Sequence, residues 1–394
     1  MEPLTWGAIF ARVMVQLAPV WIALIATFTL SILYKRRLGL YGKLFDSPIG
    51  MFGFAIVMFW VFTGVFGGLF DLITTHEVLE QSARMKNKLP GTPYVGSNSQ
   101  LPEGAYPYFL LGGDNLGRDV WSRMIVGAWE VIKIAPFATL FAFMVGITLG
   151  LPAGYYGRRL DTGLSFVANL ILAFPVILLF YLLVTPEIVA TGIPRYMAGV
   201  LFLFPIIFGV VLLNSRFYTQ PSKRNLFVAI VLVLGGWLYL GIAWNADPLG
   251  LIAFPPNLLV VFVSVVFVNS PTVFRIVRGL TMDIKTRDYV AAAQTRGEGP
   301  WYIMLWEILP NARGPLIVDF CLRIGYTTIL LGTLGFFGLG LSPESPDWGS
   351  TINDGRRLLQ IYLHPALVPA LSLLSLVLGL NLLADGLREE SLKD

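Results

Sequence analysis

The sequence predicts an all-α integral membrane protein, and three observations lead to that fold class. Of the 394 residues, 56% are hydrophobic and only 13% are charged, whereas soluble domains carry about 25% charged residues. The mean hydropathy is +0.71. Long apolar runs also recur along most of the chain. Such a chain cannot hide its apolar surface in one soluble core, so lipid must cover much of it.

Nine apolar runs are long enough to span a membrane, because about 20 helical residues cross a hydrocarbon core about 30 Å thick. We therefore expect nine transmembrane helices, with one long segment between the second and the third. The runs are 17–34, 48–70, 132–154, 164–184, 196–213, 226–244, 258–278, 314–337 and 366–384.

The placement of lysine and arginine predicts the orientation of these helices. Basic residues are concentrated in one alternating set of loops, which includes Lys35–Arg37 and the region 275–313. The opposite set has most of its basic residues in the segment 71–131, where the positive-inside rule is weak because long segments cross the membrane largely regardless of charge. The first set is therefore expected to be cytoplasmic, which puts the N-terminus outside and the C-terminus inside.

The long segment is expected to lie outside the cytoplasm. Between 71 and 115 it is rich in Pro, Gly, Asn and Ser, which predicts an extended, turn-rich conformation rather than a compact domain. From 118 to 133, Trp and Arg mixed with apolar residues predict an interfacial lead-in to the third span. His76 and His364 lack the paired spacing of a metal site, and we expect both to be ordinary surface residues in loops.

Three glycines recur every four residues within the third predicted span: Gly146, Gly150 and Gly154. Residues four apart lie on one face of a helix, and a glycine face lets a second helix approach closely. We expect another helix to pack there, with glycines that have no partner helix as the alternative.

The stretch Asp288–Pro310, DYVAAAQTRGEGPWYIMLWEILP, interrupts the apolar pattern. It is too charged to cross a bilayer. Its alanines favour helix, whereas Gly297 and Gly299 break it. Pro300 suits the first turn of a second helix, which should end before Pro310. The local pattern predicts two short helices joined by a glycine elbow, with an ordinary loop as the alternative.

The sequence lacks the motifs by which one chain would hydrolyse nucleotides or bind a metal. Gly42-Lys43 is followed by leucine and has no upstream glycine at the spacing of a phosphate-binding loop. The single cysteine, Cys321, lies in an apolar run and is expected to be a small core residue. We therefore expect no enzymatic activity and no cofactor or metal bound by this chain, and nothing indicates a nucleic-acid partner.

Few polar residues lie within the predicted spans, where exposing a charge to lipid is costly. Arg323 is the most interior charge, and Asn381 and Asp385 lie near the inner end of the last span. These three residues are the candidates for a translocation pathway or gate. For Arg323, a side chain that extends to the membrane interface is an equal alternative.

Four sequence blocks together resemble the permease subunits of ATP-binding-cassette (ABC) importers. The stretch YVAAAQTRG and the later ILPN are similar to the cytoplasmic loop by which such permeases dock onto an ATPase subunit. The other blocks resemble the peptide/opine/nickel branch, near the second permease of dipeptide and oligopeptide importers. They are LGGDNLGRDVWSRMIVGA at 111–128, LPAGYYGRRLD at 151–161 with LAFP at 172–175, and LGFFGLGLSPESPDWGSTINDGRR at 334–357 with NLLADGLRE at 381–389.

The resemblance implies a type I ABC importer permease core of six transmembrane helices, with about three additional helices here. An extra N-terminal span and a cytoplasmic linker would occupy 1–47, and the first core span with the long external segment would occupy 48–131. The transmembrane permease domain would be 132–394. It would contain an inserted helix pair at about 190–256 and a cytoplasmic coupling loop at 283–313.

The resemblance also implies a function: the permease of an ATP-driven importer of peptides or related small solutes in the bacterial inner membrane. The implied partners are a companion permease, two cytoplasmic ATPase subunits that bind ATP and Mg²⁺, and an extracytoplasmic substrate-binding protein docked on external loops that include 340–365. In the implied ATPase-docking surface, Gly297 sets the bend and Pro310 ends the helix. The implied docking residues are Tyr289, Ala291, Ala292, Ala293, Gly297, Trp301 and Pro310.

Two positions depart from the family's pattern, since Ala291 stands where the family has glutamate and Gly113 where it usually has threonine. The main alternative function is a secondary transporter driven by an ion gradient. Such a protein is expected to have inverted repeats and broken spans with carboxylates at mid-depth. Pro175 and Pro271 lie within predicted spans, but the pattern places no acidic residue at mid-depth. A membrane scaffold or an embedded enzyme is a third alternative.

Overall fold

A computed structural model describes residues 2–96, 105–252, 254–339 and 344–391. Among these residues, eight helices are long and apolar enough to cross a membrane, and a further pair passes the same test together but is bent by 80°. The nine spans expected from the sequence are matched when the bent pair counts as one. The eight single helices are Ala18–Arg37, Pro48–Leu69, Val120–Tyr156, Ile193–Arg216, Pro221–Trp244, Pro256–Ile284, Arg313–Phe336 and His364–Ser391.

The regular elements are numbered in chain order, and two of the helical stretches, Val65–Leu69 and Ile303–Ile308, are π-helical. Two short strands, β1 (Thr92–Pro93) and β2 (Tyr108–Phe109), pair in antiparallel fashion. The α-helices are α1 Trp6–Gln16, α2 Ala18–Tyr34, α3 Gly39–Lys43, α4 Pro48–Gly64, α5 Val120–Tyr156, α6 Arg158–Leu172, α7 Val176–Val184, α8 Pro186–Ala190, α9 Ile193–Leu201, α10 Leu203–Arg216, α11 Pro221–Trp244, α12 Pro256–Ile284, α13 Asp288–Thr295, α14 Pro300–Tyr302, α15 Leu309–Asn311, α16 Arg313–Phe336, α17 Trp348–Arg356 and α18 His364–Ser391.

The chain forms two compact units, Met1–Ala135 with Ile324–Asp394, and Pro136–Arg323. In the first unit, α4 and α18 pack closely because glycines face each other. A β-carbon on Gly53 would lie 2.3 Å from the backbone nitrogen of Leu383, and one on Gly386 would lie 2.3 Å from the Cα atom of Gly50. These distances leave no room for side chains, so this helix contact requires glycine on both helices.

The region before α5 is turn-rich, as predicted, but it also packs around a small core of its own. Met85, Tyr94 and Phe109 are buried there, and the rings of Tyr94 and Phe109 stack with centroids 5.1 Å apart. Burial and the hydrogen bond from Tyr94 to Glu80 raise the pKa of Tyr94. The predicted extended conformation is therefore wrong for this core. Composition averages over scattered aromatic residues, which form a core once turns bring them together.

His76 is buried, so the prediction that it lies on the surface is wrong. Its Nδ1 atom lies 3.2 Å from a carboxylate oxygen of Asp119, and its Nε2 atom lies 3.0 Å from the carbonyl oxygen of Tyr106. Burial is tolerated because both ring nitrogens have partners. His364 is half-buried at the start of α18 rather than in a loop, with Nε2 3.2 Å from the carbonyl oxygen of Gly113.

In the second unit, the glycine face of α5 packs against α12, which confirms the expected close helix contact. A β-carbon on Gly146 would lie 2.5 Å from a side-chain carbon of Val273, and one on Gly154 would lie 2.7 Å from the carbonyl oxygen of Arg278. The two helices approach over about two helical turns of α5. At the Gly154 end of this contact, the amine of Lys285 in the turn after α12 donates a hydrogen bond to the carbonyl oxygen of Gly154 at 2.7 Å.

Gly150→Ala is expected to lower the stability of the protein by about 1–3 kcal/mol, the usual cost of overpacking. The new β-carbon would lie 2.9 Å from the β-carbon of Val277. Gly279→Ala in α12 is the matched control, because a β-carbon there meets no atom within 4 Å and alanine favours helix. The thermal unfolding midpoint in detergent should fall only for Gly150→Ala. Equal midpoints for the two variants would contradict the close α5–α12 contact.

The predicted span 164–184 is broken, since α6 and α7 meet at 80° around the residues that precede Val176. Pro175 lies at this break and disfavours helical geometry at the residue before it. Hydropathy predicts one continuous span because apolar content does not report the direction of the chain. The guanidinium of Arg278 in α12 holds α6 through Asp161, with Nη2 2.7 Å from Oδ2.

The helices α9, α10 and α11 form the two spans predicted at 196–213 and 226–244. They lie in the region that is expected to be an insertion, and they are here called the insert. Phe202, between α9 and α10, packs edge-on against Phe141 of α5 and Phe262 of α12, with ring centroids 5.2 and 5.6 Å apart. Arg195 of α9 donates to the carbonyl oxygen of Trp244 in α11 at 2.5 Å. The insert therefore has its own internal contacts and also packs on the helices of its unit.

Candidate functional site

The segment 288–311, here called the coupling segment, contains the two helical pieces and the glycine elbow that the sequence predicts. The first piece is α13, and Gly297 ends it with a φ of +79°. The Gly297 N–H donates to the carbonyl oxygen of Gln294 at 3.0 Å, and the Glu298 N–H donates to that of Ala293 at 3.2 Å. This pair of bonds is a Schellman motif, which requires a residue that tolerates positive φ.

One face of the coupling segment is anchored in the second unit. Val290, Ala293 and Met304 have no exposed surface, and they join a cluster that includes Leu151 of α5 and Val277 of α12. Val290 and Ala293 are three positions apart, so they lie on the same side of α13. This face fixes the segment on the membrane-spanning helices.

The opposite face of the coupling segment is exposed. Tyr289 is 39% exposed, Trp301 is 36% exposed, and Ala291 and Ala292 are also exposed. Ala293 was expected on this face but is fully buried, because it lies one residue beyond Ala292 and the helical turn carries it to the anchored side. The exposed surface is therefore smaller than predicted.

Pro310 does not end the second helix, contrary to the prediction. It lies in α15, after the π-helical residues Ile303–Ile308, and only Ala312 separates α15 from α16. Proline lacks an N–H group and crowds the carbonyl four residues back, and the wider π-helical turn before it relieves both constraints. The chain is therefore helical from the second piece of the coupling segment into the spanning helix α16, with a break only at Ala312.

The carboxylates of Glu298 and Glu307, near the elbow, already pair with Arg296. Arg296 lies 2.9 Å from Glu307 and 4.0 Å from Glu298, measured between nitrogen and oxygen atoms. Ala291 is exposed and carries no acidic group, so the ion pair or hydrogen bond expected of the family's glutamate is missing. The structure offers no explanation for the alanine.

Comparison with known proteins decides the family. Residues 146–389 match the family described as "Binding-protein-dependent transport system inner membrane component". The chain belongs to this family. It is a multi-pass inner-membrane permease of an ABC importer, and ATP hydrolysis in such systems resides on other subunits. The resemblance inferred from the sequence blocks is confirmed, and a secondary transporter is not supported.

Several individual permeases are similar to this one over most of their length. The glutathione transport system permease protein GsiD of Pectobacterium atrosepticum is 29% identical over 301 residues, which is 75% of this chain and 78% of that protein. The dipeptide transport system permease protein DppC of Alkalihalophilus pseudofirmus is 28% identical over 302 residues, or 76% and 77% of the two chains. GsiD of Escherichia coli is 30% identical over 301 residues, or 75% and 77%.

The three candidate pathway residues of the permease lie in different settings. Arg323 is 9% exposed, and its Nε atom donates to Asp319, one helical turn earlier in α16, at 2.9 Å. This partner was not predicted, although the spacing of four residues between Asp319 and Arg323 is a sequence signal for such a pair. Asn381 and Asp385 are exposed on the same face of α18. Within the described residues, no group of three His, Cys, Asp or Glu side chains is placed to hold a metal ion.

Two sequence blocks of the permease meet in the first unit, a contact that was not predicted from the sequence. Arg118 donates from Nε to Asp114 and from Nη2 to Asp354, both at 2.6 Å. Arg123 donates from Nη2 to the carbonyl oxygen of Ser345 at 3.0 Å. These bonds join the region 114–123 to the region 345–354. The opposite charges in the sequences DNLGRD and INDGRR are the signal that could have predicted this contact.

The predicted interfacial lead-in at 118–133 is instead packed inside the first unit, and from Val120 onward it is the beginning of α5. Trp121 and Arg123 are each 1% exposed, and the Trp121 indole donates to the carbonyl oxygen of Ile73 at 3.0 Å. Nearby, burial raises the pKa of Asp347, against the hydrogen bonds from Ser350 that lower it. Mixed Trp and Arg residues are found both at membrane interfaces and in buried polar networks, so composition alone did not distinguish the two.

Proposed function

We propose that this permease forms half of the translocation pathway of an ATP-driven importer of short peptides. The observation that carries this proposal is the 28–30% identity, over three quarters of the chain, to permeases named for dipeptide and glutathione transport. A companion permease would supply the other half of the pathway. A soluble binding protein would deliver the substrate.

The coupling segment is proposed as the docking site for one of two ATPase subunits, which would bind ATP and Mg²⁺. Two features support this role: one face of the segment is anchored on the membrane-spanning helices, and the opposite face is exposed. The exposed face carries Tyr289, Ala291, Ala292 and Trp301. A segment can transmit a partner's closure only if its arrangements differ in contact energy with that partner. Gly297 gives the segment its bend, while Ala293 and Pro310 serve its anchoring and its connection to α16.

The proposed orientation puts the N-terminus outside and the coupling segment in the cytoplasm. Its support is the concentration of lysine and arginine in the loops on the coupling-segment side. In this orientation the binding protein would dock on the external side, including 340–365, of which 340–343 lie outside the described residues. The regions 1–47 and about 190–256 would be additions to a six-helix core.

Asn381 and Asp385 are proposed to line the pathway, because they are polar and exposed one turn apart on a spanning helix. Exposure of such groups to lipid is costly, whereas a water-filled path or a companion permease would satisfy them. Arg323 is proposed as a gating residue, held by Asp319.

Reconstitution tests the proposed function. The permease, its companion, the ATPase pair and the binding protein would be placed in liposomes, and uptake of a labelled dipeptide would be measured. We expect uptake only with ATP on the ATPase side, and competition by unlabelled dipeptide. Uptake driven by a proton or sodium gradient without ATPase subunits would overturn the mechanism, and failure of dipeptide and glutathione to compete would overturn the substrate class.

A further inference from the structure

The inserted helices touch the coupling segment, which gives them a role beyond facing lipid. Phe208, Val211 and Leu212 of α10 pack against the buried cluster that anchors the coupling segment. The cluster's other members come from α5, α12, α16 and the segment itself, with Ala312 between the segment and α16. The insert thus covers a flank of the coupling segment that the core helices do not.

Trp306 is the centre of this contact. Its indole N–H donates to the hydroxyl oxygen of Ser215 at 3.1 Å, and the Ser215 hydroxyl donates in turn to the carbonyl oxygen of Leu212 at 2.9 Å. Ser215 is only 6% exposed. The hydroxyl therefore accepts one bond and donates another, so its orientation is fixed and it presents a lone pair to the indole.

Two further contacts extend the same junction. The guanidinium carbon of Arg216 lies 4.7 Å from the centroid of the Trp306 ring, within the range of a cation–π interaction. Tyr218 lies edge-on to Tyr302, with ring centroids 6.2 Å apart, and its hydroxyl lies 3.5 Å from a carboxylate oxygen of Glu298. The end of α10 and the turn after it therefore contact the coupling segment at three aromatic or polar positions.

The local backbone explains why Trp306 faces the insert. Trp306 lies within the π-helical residues Ile303–Ile308. A π-helical turn contains more residues than an α-helical one, so it rotates the following side chains relative to an uninterrupted α-helix. Ile303, Met304 and Leu305 remain buried while Trp306 is half-buried toward α10.

We propose that the inserted pair clamps the coupling segment and that Trp306 is the positioning residue of this clamp. The proposal rests on the proposed docking of an ATPase subunit at the coupling segment. Movement of the segment is passed to α10 through the bond to Ser215 and the cation–π contact, so that the segment and the insert move together. Without the clamp, the segment follows the ATPase while α10 does not, and ATP is hydrolysed with less transport.

The test compares Trp306→Phe and Ser215→Ala with a matched control, Trp237→Phe. Trp237 also lies in the insert, and its indole donates to Asp247 at 2.6 Å, away from the coupling segment. In liposomes with the complete importer, peptide transported per ATP hydrolysed should fall about fivefold for both junction variants, as expected for one lost hydrogen bond. The control should keep the wild-type ratio.

A double variant, Trp306→Phe with Ser215→Ala, tests whether the two residues act through one contact. Its ratio should be no lower than that of the stronger single variant, because coupled residues are not additive. Unchanged ratios in both single variants, or fully additive losses in the double variant, would overturn the clamp. If Trp306→Phe yields no folded complex, Ser215→Ala decides the matter. Failure of the docking proposal is distinguishable, since Gly297→Val would then leave the recovery of ATPase subunits unchanged, whatever the junction variants do.

Discussion

Arg118→Met is expected to destabilise the permease by about 3–5 kcal/mol, the cost of breaking a buried ion pair from one side. Arg118 is 3% exposed and joins Asp114, which is 1% exposed, to Asp354 in α17. Methionine has a similar length but leaves the Asp114 carboxylate buried without a cation. The unfolding midpoint in detergent and the yield of folded protein measure the effect.

Lys35→Met is the control for this prediction. Lys35 pairs with Asp46 at 2.7 Å in the same unit, but the two side chains are 38% and 53% exposed, and such pairs contribute about 0–1 kcal/mol. The double variant Arg118→Met with Asp114→Asn should recover part of the loss, because it removes the stranded charge. Equal midpoints for Arg118→Met and Lys35→Met would show that the buried network does not hold the two blocks together.

The parts of the structure that the sequence predicts correctly rest on local periodicity. Apolar runs of membrane length predict the spanning helices, because hydropathy alone determines whether a segment can enter lipid. The spacing of Gly146, Gly150 and Gly154 predicts a helix partner, and α12 occupies that face. The elbow at Gly297 is likewise predicted, because positive φ favours glycine.

The remaining features depend on contacts between distant residues or on the direction of the chain. Hydropathy does not report the bend before Val176. The burial of His76 depends on Asp119, which is 43 positions away in the sequence. The bond between Trp306 and Ser215 joins residues 91 positions apart. Whether the helix continues past Pro310 also depends on the π-helical residues before it, and the sequence pattern does not show that these residues are π-helical. Apart from Pro175, which marks the bend without giving its angle, no pattern in a single sequence contains this information.

Gly297→Val is expected to reduce the recovery of ATPase subunits with the permease about tenfold, with a matching loss of transport. A β-branched residue at a φ of +79° is strongly disfavoured, and even an unbranched residue costs about 1–2 kcal/mol there, or roughly five- to thirtyfold in an equilibrium. The elbow would rearrange and tilt α13 away from α14. Co-purification of the ATPase subunits, followed by transport in liposomes, measures the effect.

Gly299→Ala separates the backbone effect from a steric one. A β-carbon at either Gly297 or Gly299 meets no atom within 4 Å, but Gly299 has φ and ψ of −68° and 154°, which alanine adopts without strain. ATPase recovery should therefore be normal for Gly299→Ala. Equal losses would mean that any added side chain blocks the partner, and normal recovery for Gly297→Val would mean that docking does not use this bend. Because Gly297→Val removes the ATPase whereas Trp306→Phe leaves it bound but poorly coupled, the two variants separate attachment of the ATPase from transmission of its movement.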